Sequence, residues 1–75
     1  MPAPNTNSAK FGRNLVRLRE AVGVTQEQLA ESANVSPRYL QQLESGRDSN
    51  PSLQVLATLK SALNCSWDDL LRGVS

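Results

Sequence analysis

Seventy-five residues make one domain at most, and a chain this short buries only about 60% of its unfolded surface, so it needs regular helices or a partner. One cysteine and no histidine exclude an internal disulfide and a Cys/His zinc site. The net charge of +1 excludes a uniformly basic surface, and no apolar run is long enough to span a membrane.

In chain order, residues 1–7 (MPAPNTN) hold two prolines and no apolar run, and they read as a disordered tail ahead of a single domain at 8–75. The tail lacks a signal peptide's basic and apolar regions, so a cytoplasmic protein is expected. It also lacks the Arg or Lys of a minor-groove arm. Phe11, Leu15, Leu18 and Val22 recur at i, i+4, i+7 and i+11, which predicts a first helix over 8–22 with one inward face, stopped by Gly23. Thr25 and Gln28 form a capping box, with Val24 and Leu29 as the staple beside it, opening a second helix over 25–33.

Asn34 stands where the following turn needs a left-handed residue. Ser36 then Pro37 gives an N-cap and a proline at the first helical position of a third helix, 36–45, before the Gly46 stop. After the loop GRDSN comes a fourth helix over 52–63, with Val55, Leu56, Leu59, Ala62 and Leu63 inward and Asn64 as terminator. Ser66 caps a fifth helix over 66–72, whose first turn holds Asp68 and Asp69 against the helix dipole, and Gly73 closes it. No strand signal occurs. The expected fold is all-α, a compact five-helix domain.

The charges are mildly segregated. Residues 1–47 carry six basic and four acidic side chains, and residues 48–75 carry two and three. Affinity for nucleic acid would have to come from a few placed contacts rather than a basic stripe. Residues 25–46, TQEQLAESANVSPRYLQQLESG, are where such contacts gather. Leu29 and Ala33 on one helix face Leu40 and Leu43 on the next, with Ala30 small where the two cross, so a short turn locks them at a steep angle as a helix-turn-helix. With Leu40 and Leu43 turned inward, Arg38, Tyr39, Gln41 and Gln42 are the long side chains left outside. The major groove of B-DNA admits one helix, where Arg suits guanine O6 and N7 and Gln suits adenine N6 and N7. Gln41 is the weakest of the four, because it can lie along the protein surface.

Gln26, Leu29, Ala30, Val35, Ser36, Leu40, Leu43, Glu44 and Gly46, followed by Pro51, Leu53 and Leu56, resemble the lambda-repressor-like family of DNA-binding domains, the Cro/C1-type or XRE helix-turn-helix family. The resemblance spans residues 11–63. Asn34 replaces the usual turn glycine, and Tyr39 a smaller residue. The family implies a cytoplasmic transcriptional regulator of bacterial or phage type, acting as a homodimer on a partly palindromic operator in double-stranded DNA. It implies base contacts from Arg38, Tyr39 and Gln42, and phosphate contacts from Gln26, Ser36 and the loop residues Arg47, Ser49 and Asn50. It further implies an ion pair between Arg19 and Glu44 that ties the third helix to the first. Arg13 and Arg17, one turn apart, are solvated charges with at most a general attraction for phosphate.

Trp67, Leu70, Leu71 and Val74 recur at i, i+3, i+4 and i+7. They serve either as a cap on the core or as a two-fold dimer interface; dimers of the family set recognition helices about 34 Å apart. A second expectation keeps the fold and changes the class: a protein-interaction module, such as an antitoxin or an adaptor to the transcription machinery. No catalytic constellation is visible, Cys65 has no base partner, and neither a metal site nor a small-molecule site is expected.

Overall fold

The computed structural model describes residues 6–47 and 51–74. They form α1 (Thr6–Val22), α2 (Gln26–Ala33), α3 (Pro37–Glu44), α4 (Leu53–Leu63) and α5 (Trp67–Leu70), with no strand among them. The protein is all-α.

Side-chain caps set most of the boundaries. Thr25 Oγ1 accepts from the Gln28 amide at 3.1 Å and Gln28 Oε1 accepts from the Thr25 amide at 2.9 Å, closing the capping box of α2. Ser36, Ser52 and Ser66 cap α3, α4 and α5 in the same way, each hydroxyl accepting from the amide three residues on. Asn34 and Asn64 end α2 and α4 in the left-handed conformation, at φ 58° and 52°. The short Asn side chain tolerates that geometry where a bulkier residue would clash.

Two boundaries differ from expectation by more than one residue. α1 begins at Thr6 rather than at residue 8, so Thr6 and Asn7 leave the expected tail; residues 1–5 lie outside the described part. The first turn of α1 packs closely on the end of the α3 segment: Gly46 lies against the backbone of Ser8 and Ala9, where an added Cβ would come within 3.2 Å of the Ala9 Cα. α5 ends at Leu70 rather than residue 72. Val22, expected on the inner face, is 51% exposed, and Val24 packs on the core just beyond it.

The core is built on leucine. Leu15, Leu29, Leu40, Leu43, Leu59 and Leu70 are fully buried, with Phe11, Ala30, Ala33 and Leu63 filling between them. Each such leucine contributes about 1.5–3 kcal/mol by leaving water. α1 runs along α3, α4 and α5, while α2 packs on α3 and α4. The approach of α1 to α3 is close because residue 12 is glycine. A Cβ there would lie 2.5 Å from the Glu44 carbonyl oxygen and 2.7 Å from that of Leu43. α1 is thus a strut against which α3 is pressed.

Candidate nucleic-acid interface

The inner side of α3 is fixed by Leu40 and Leu43, both without solvent exposure. At 3.6 residues per turn this leaves Pro37, Arg38, Gln41 and Ser45 exposed and Gln42 half-buried on the opposite side. An open hollow runs between this side of α3 and the start of α2, lined by Gln26, Glu27, Pro37, Arg38, Gln41, Gln42, Ser45 and Arg47. It brings together two expected base readers, Arg38 and Gln42, and two expected phosphate ligands, Gln26 and Arg47. Gln41, the weakest of the outward candidates in the sequence, lines it too. The α2 N-terminus adds partial positive charge and unpaired amides, and Glu27 sets one carboxylate against them.

Tyr39 is drawn the other way. It is half-buried, packs against the core, and does not line the hollow. Ser36 is exposed with its hydroxyl occupied as the cap of α3, accepting from the Tyr39 amide at 3.1 Å. Ser49 and Asn50 lie outside the described residues. Arg13 and Arg17 are exposed on α1.

Beneath the hollow lies the ion pair. Arg19 Nε donates to Glu44 Oε2 at 2.7 Å, Nη2 donates to Oε1 at 3.4 Å, and Nη1 donates to the Val24 carbonyl at 3.1 Å. The two side chains are only 17% and 4% exposed. The hydrogen bond to Glu44 holds the Arg19 pKa above its ordinary value, against a smaller opposing effect of burial. Gln26 was missed as a member of this cluster: its Nε2 donates to Glu44 Oε1 at 2.7 Å. One carboxylate therefore holds both the guanidinium of α1 and the first side chain of α2, and a phosphate contact by Gln26 would draw on its remaining N–H and its backbone amide.

Outside the hollow, Trp67 is 43% exposed, with Lys60 Nζ 5.6 Å from its ring centroid. Leu71 and Val74 are half-buried. Leu70, expected with them at a dimer interface, is wholly buried in the protomer's own core, because α5 packs that face on α1. No group of metal-ligating side chains forms among the described residues. No helix among them is long and apolar enough to cross a membrane. Burial, then Asp69, raises the Cys65 thiol pKa above its usual range and keeps it protonated, the reverse of what a nucleophile needs.

An all-helical body with α3 pressed outward over a polar hollow is the architecture of a helix-turn-helix domain, and a helix-turn-helix family profile matches residues 15–70. The chain belongs to that family, in its Cro/C1 branch of DNA-binding transcription regulators, which are not enzymes. The HTH-type transcriptional regulator DdrOP3 of Deinococcus deserti is 40% identical over 65 residues, covering 87% of this chain and 50% of its own length. This chain thus spans half of that relative. The restriction-modification controller protein C.AhdI from Aeromonas hydrophila superposes with a TM-score of 0.82 at 33% identity, over 88% of this chain and 98% of its own. The clp gene regulator ClgR from Corynebacterium glutamicum superposes with a TM-score of 0.83 at 37% identity, over 95% and 90%.

Proposed function

We propose that the protein is a sequence-specific regulator that binds double-stranded DNA as a homodimer, laying α3 in the major groove of each half of a partly palindromic operator. The observation that carries this reading is the common hollow of Arg38, Gln42, Gln26 and Arg47. Arg38 and Gln42 carry the bidentate donors and acceptors that distinguish guanine and adenine edges. Tyr39 touches the groove wall only from the rim, through a thymine methyl or a phosphate. Gln26, Ser36, Arg47, Ser49 and Asn50 hold the register on the sugar-phosphate backbone without reading sequence. The α2 N-terminus suits a phosphate because its first amides have no partner inside the helix. Two copies associate through the exposed Trp67 with Leu71 and Val74, since a single domain of charge +1 gains too little from phosphates alone. The site of action is the cytoplasm, where a bacterial chromosome or phage genome is reached.

Selection from a pool of random duplexes tests this. The expected result is a consensus with two-fold symmetry, bound more weakly as salt rises. A pool that shows no enrichment contradicts it and leaves the protein-interaction module as the reading of this fold.

A further inference from the structure

Asn14 is buried, 6% exposed, in the middle of α1. Its Nδ2 donates to the Leu70 carbonyl at 3.0 Å and to the Arg72 carbonyl at 2.9 Å, residues 56 and 58 places away in the chain. The first is the last carbonyl of α5, a helix of only four residues, and the second lies in the turn two residues beyond it. Such a helix cannot sustain its own ladder, and its last carbonyls have no partner within it. One side chain of α1 satisfies the last of them together with a carbonyl of the turn that follows, and fixes how α5 is turned.

The same helix holds the DNA-facing element. Gly12 lets the α3 backbone approach, and Arg19 clamps Glu44 at the end of α3. Gly12, Asn14 and Arg19 fall within about 10 Å along the helix axis, at 1.5 Å per residue. We infer that Asn14 is a positioning residue for operator spacing: through α1 it sets the orientation of the dimer-forming α5 relative to α3, and thereby the distance between the two recognition helices. This rests on the homodimer reading above. A two-fold operator is read only when both helices reach their half-sites together, so an α5 free to rotate would leave each half-site contact intact and blur the separation between them.

The test compares the parent with Asn14→Ala on duplexes carrying the selected consensus, with the half-site separation stepped one base pair at a time, and on a duplex carrying one half-site. For the variant, half-site affinity should stay within about twofold, while affinity at the best separation falls about tenfold or more and the preference for that separation flattens, as expected when the avidity of a linked pair is lost. A separation profile as sharp as the parent's overturns the inference. So does a parallel loss on half-site and full site, which would assign Asn14 to general stability. Asn14→Ser keeps one donor and should fall between the two; if it too loses both affinities in parallel, the inference fails for both variants. Sedimentation of the parent on the full site separates the two readings. A monomeric parent removes the dimer and this inference together, whereas a dimeric parent with an unaltered variant removes this inference alone.

Discussion

Gln26 and Glu44 meet at 2.7 Å, so the side chain at the entrance of α2 is held by the carboxylate that also locks Arg19. The start of α2, the end of α3 and the last turn of α1 are joined at one buried oxygen pair. The hollow above them is therefore preformed, and a phosphate arriving at the α2 N-terminus meets groups already in place.

Removing either charge of this pair should be costly. Arg19→Ala leaves a carboxylate only 4% exposed with one amide partner, and the expected loss is about 3–5 kcal/mol. In a domain of this size each kcal/mol moves the midpoint by about 4–8 °C, so the melting temperature should fall by well over ~10 °C. Glu44→Ala should do the same, and the double variant should lose less than the two single losses combined. Calorimetry on the three variants measures this; additive losses would mean that the pair contributes nothing as a pair.

Stability in alkali should depend on Cys65 before Arg19. Both groups have a folded-state pKa above the unfolded one. Each contribution is therefore complete below the unfolded value and lost as pH climbs through the folded value. For Arg19 that window lies in strong alkali, above its already high ordinary value; for Cys65 it begins at 9.0. Melts of the parent and Cys65→Ala across mildly alkaline pH should show the parent losing stability relative to the variant. A constant difference would contradict the assignment.

Gly12→Ala sets two effects of opposite sign against each other. Alanine gains up to about 1 kcal/mol of helix propensity over glycine. The added Cβ would stand 2.5 Å from the backbone oxygen of Glu44, and an overpacked contact costs about 1–3 kcal/mol. Backbone on both sides leaves no flexible group to yield, so the clash should win and the variant should melt below the parent. A higher melting temperature would show that α1 and α3 part easily.

Sequence reading and phosphate contact should separate in binding assays. Arg38→Ala and Gln42→Ala should each relax preference at one base pair, at a cost of about 1–3 kcal/mol there. Arg47→Ala should weaken all duplexes alike and lower the salt slope by about one. Quantitative shift assays over single-base operator variants distinguish these patterns.

Trp67 and Leu70 should part company as well. Leu70→Ala opens a hole in a fully packed position and should cost the protomer about 2–5 kcal/mol. Trp67→Ala, at a half-exposed position, should leave the protomer's melt nearly unchanged and shift the sedimentation profile toward monomer. Trp67→Ala sedimenting like the parent would move the dimer interface elsewhere.

Much of the fold was legible because its signals are local. Thr25 with Gln28, Ser36 with Pro37, and the two asparagines in left-handed turns mark boundaries within four residues of themselves, and the leucine spacing marks the inner faces. The Arg19–Glu44 pair was legible only through family resemblance. What escaped depends on partners far along the chain. Gly12 reads as a weak point within a helix until α3 is laid against it. Asn14 reads as an ordinary polar residue until the carbonyls of Leu70 and Arg72 arrive. The two residues added at the start of α1 and the early end of α5 were not legible either. Tyr39 reads as one of the side chains left outside by Leu40 and Leu43, and only the packed core shows that its body turns in.

The central claim is that the outer side of α3 meets the bases. A titration of isotope-labelled protein with the selected duplex, followed by NMR through the side-chain signals of Arg38 Nε and Gln42 Nε2 and the amides of α2 and α3, tests it most directly. The account predicts that these signals shift together with the α2 N-terminal amides and saturate at one protomer per half-site. Shifts confined to α4 and α5, with Arg38 and Gln42 unmoved, would contradict it.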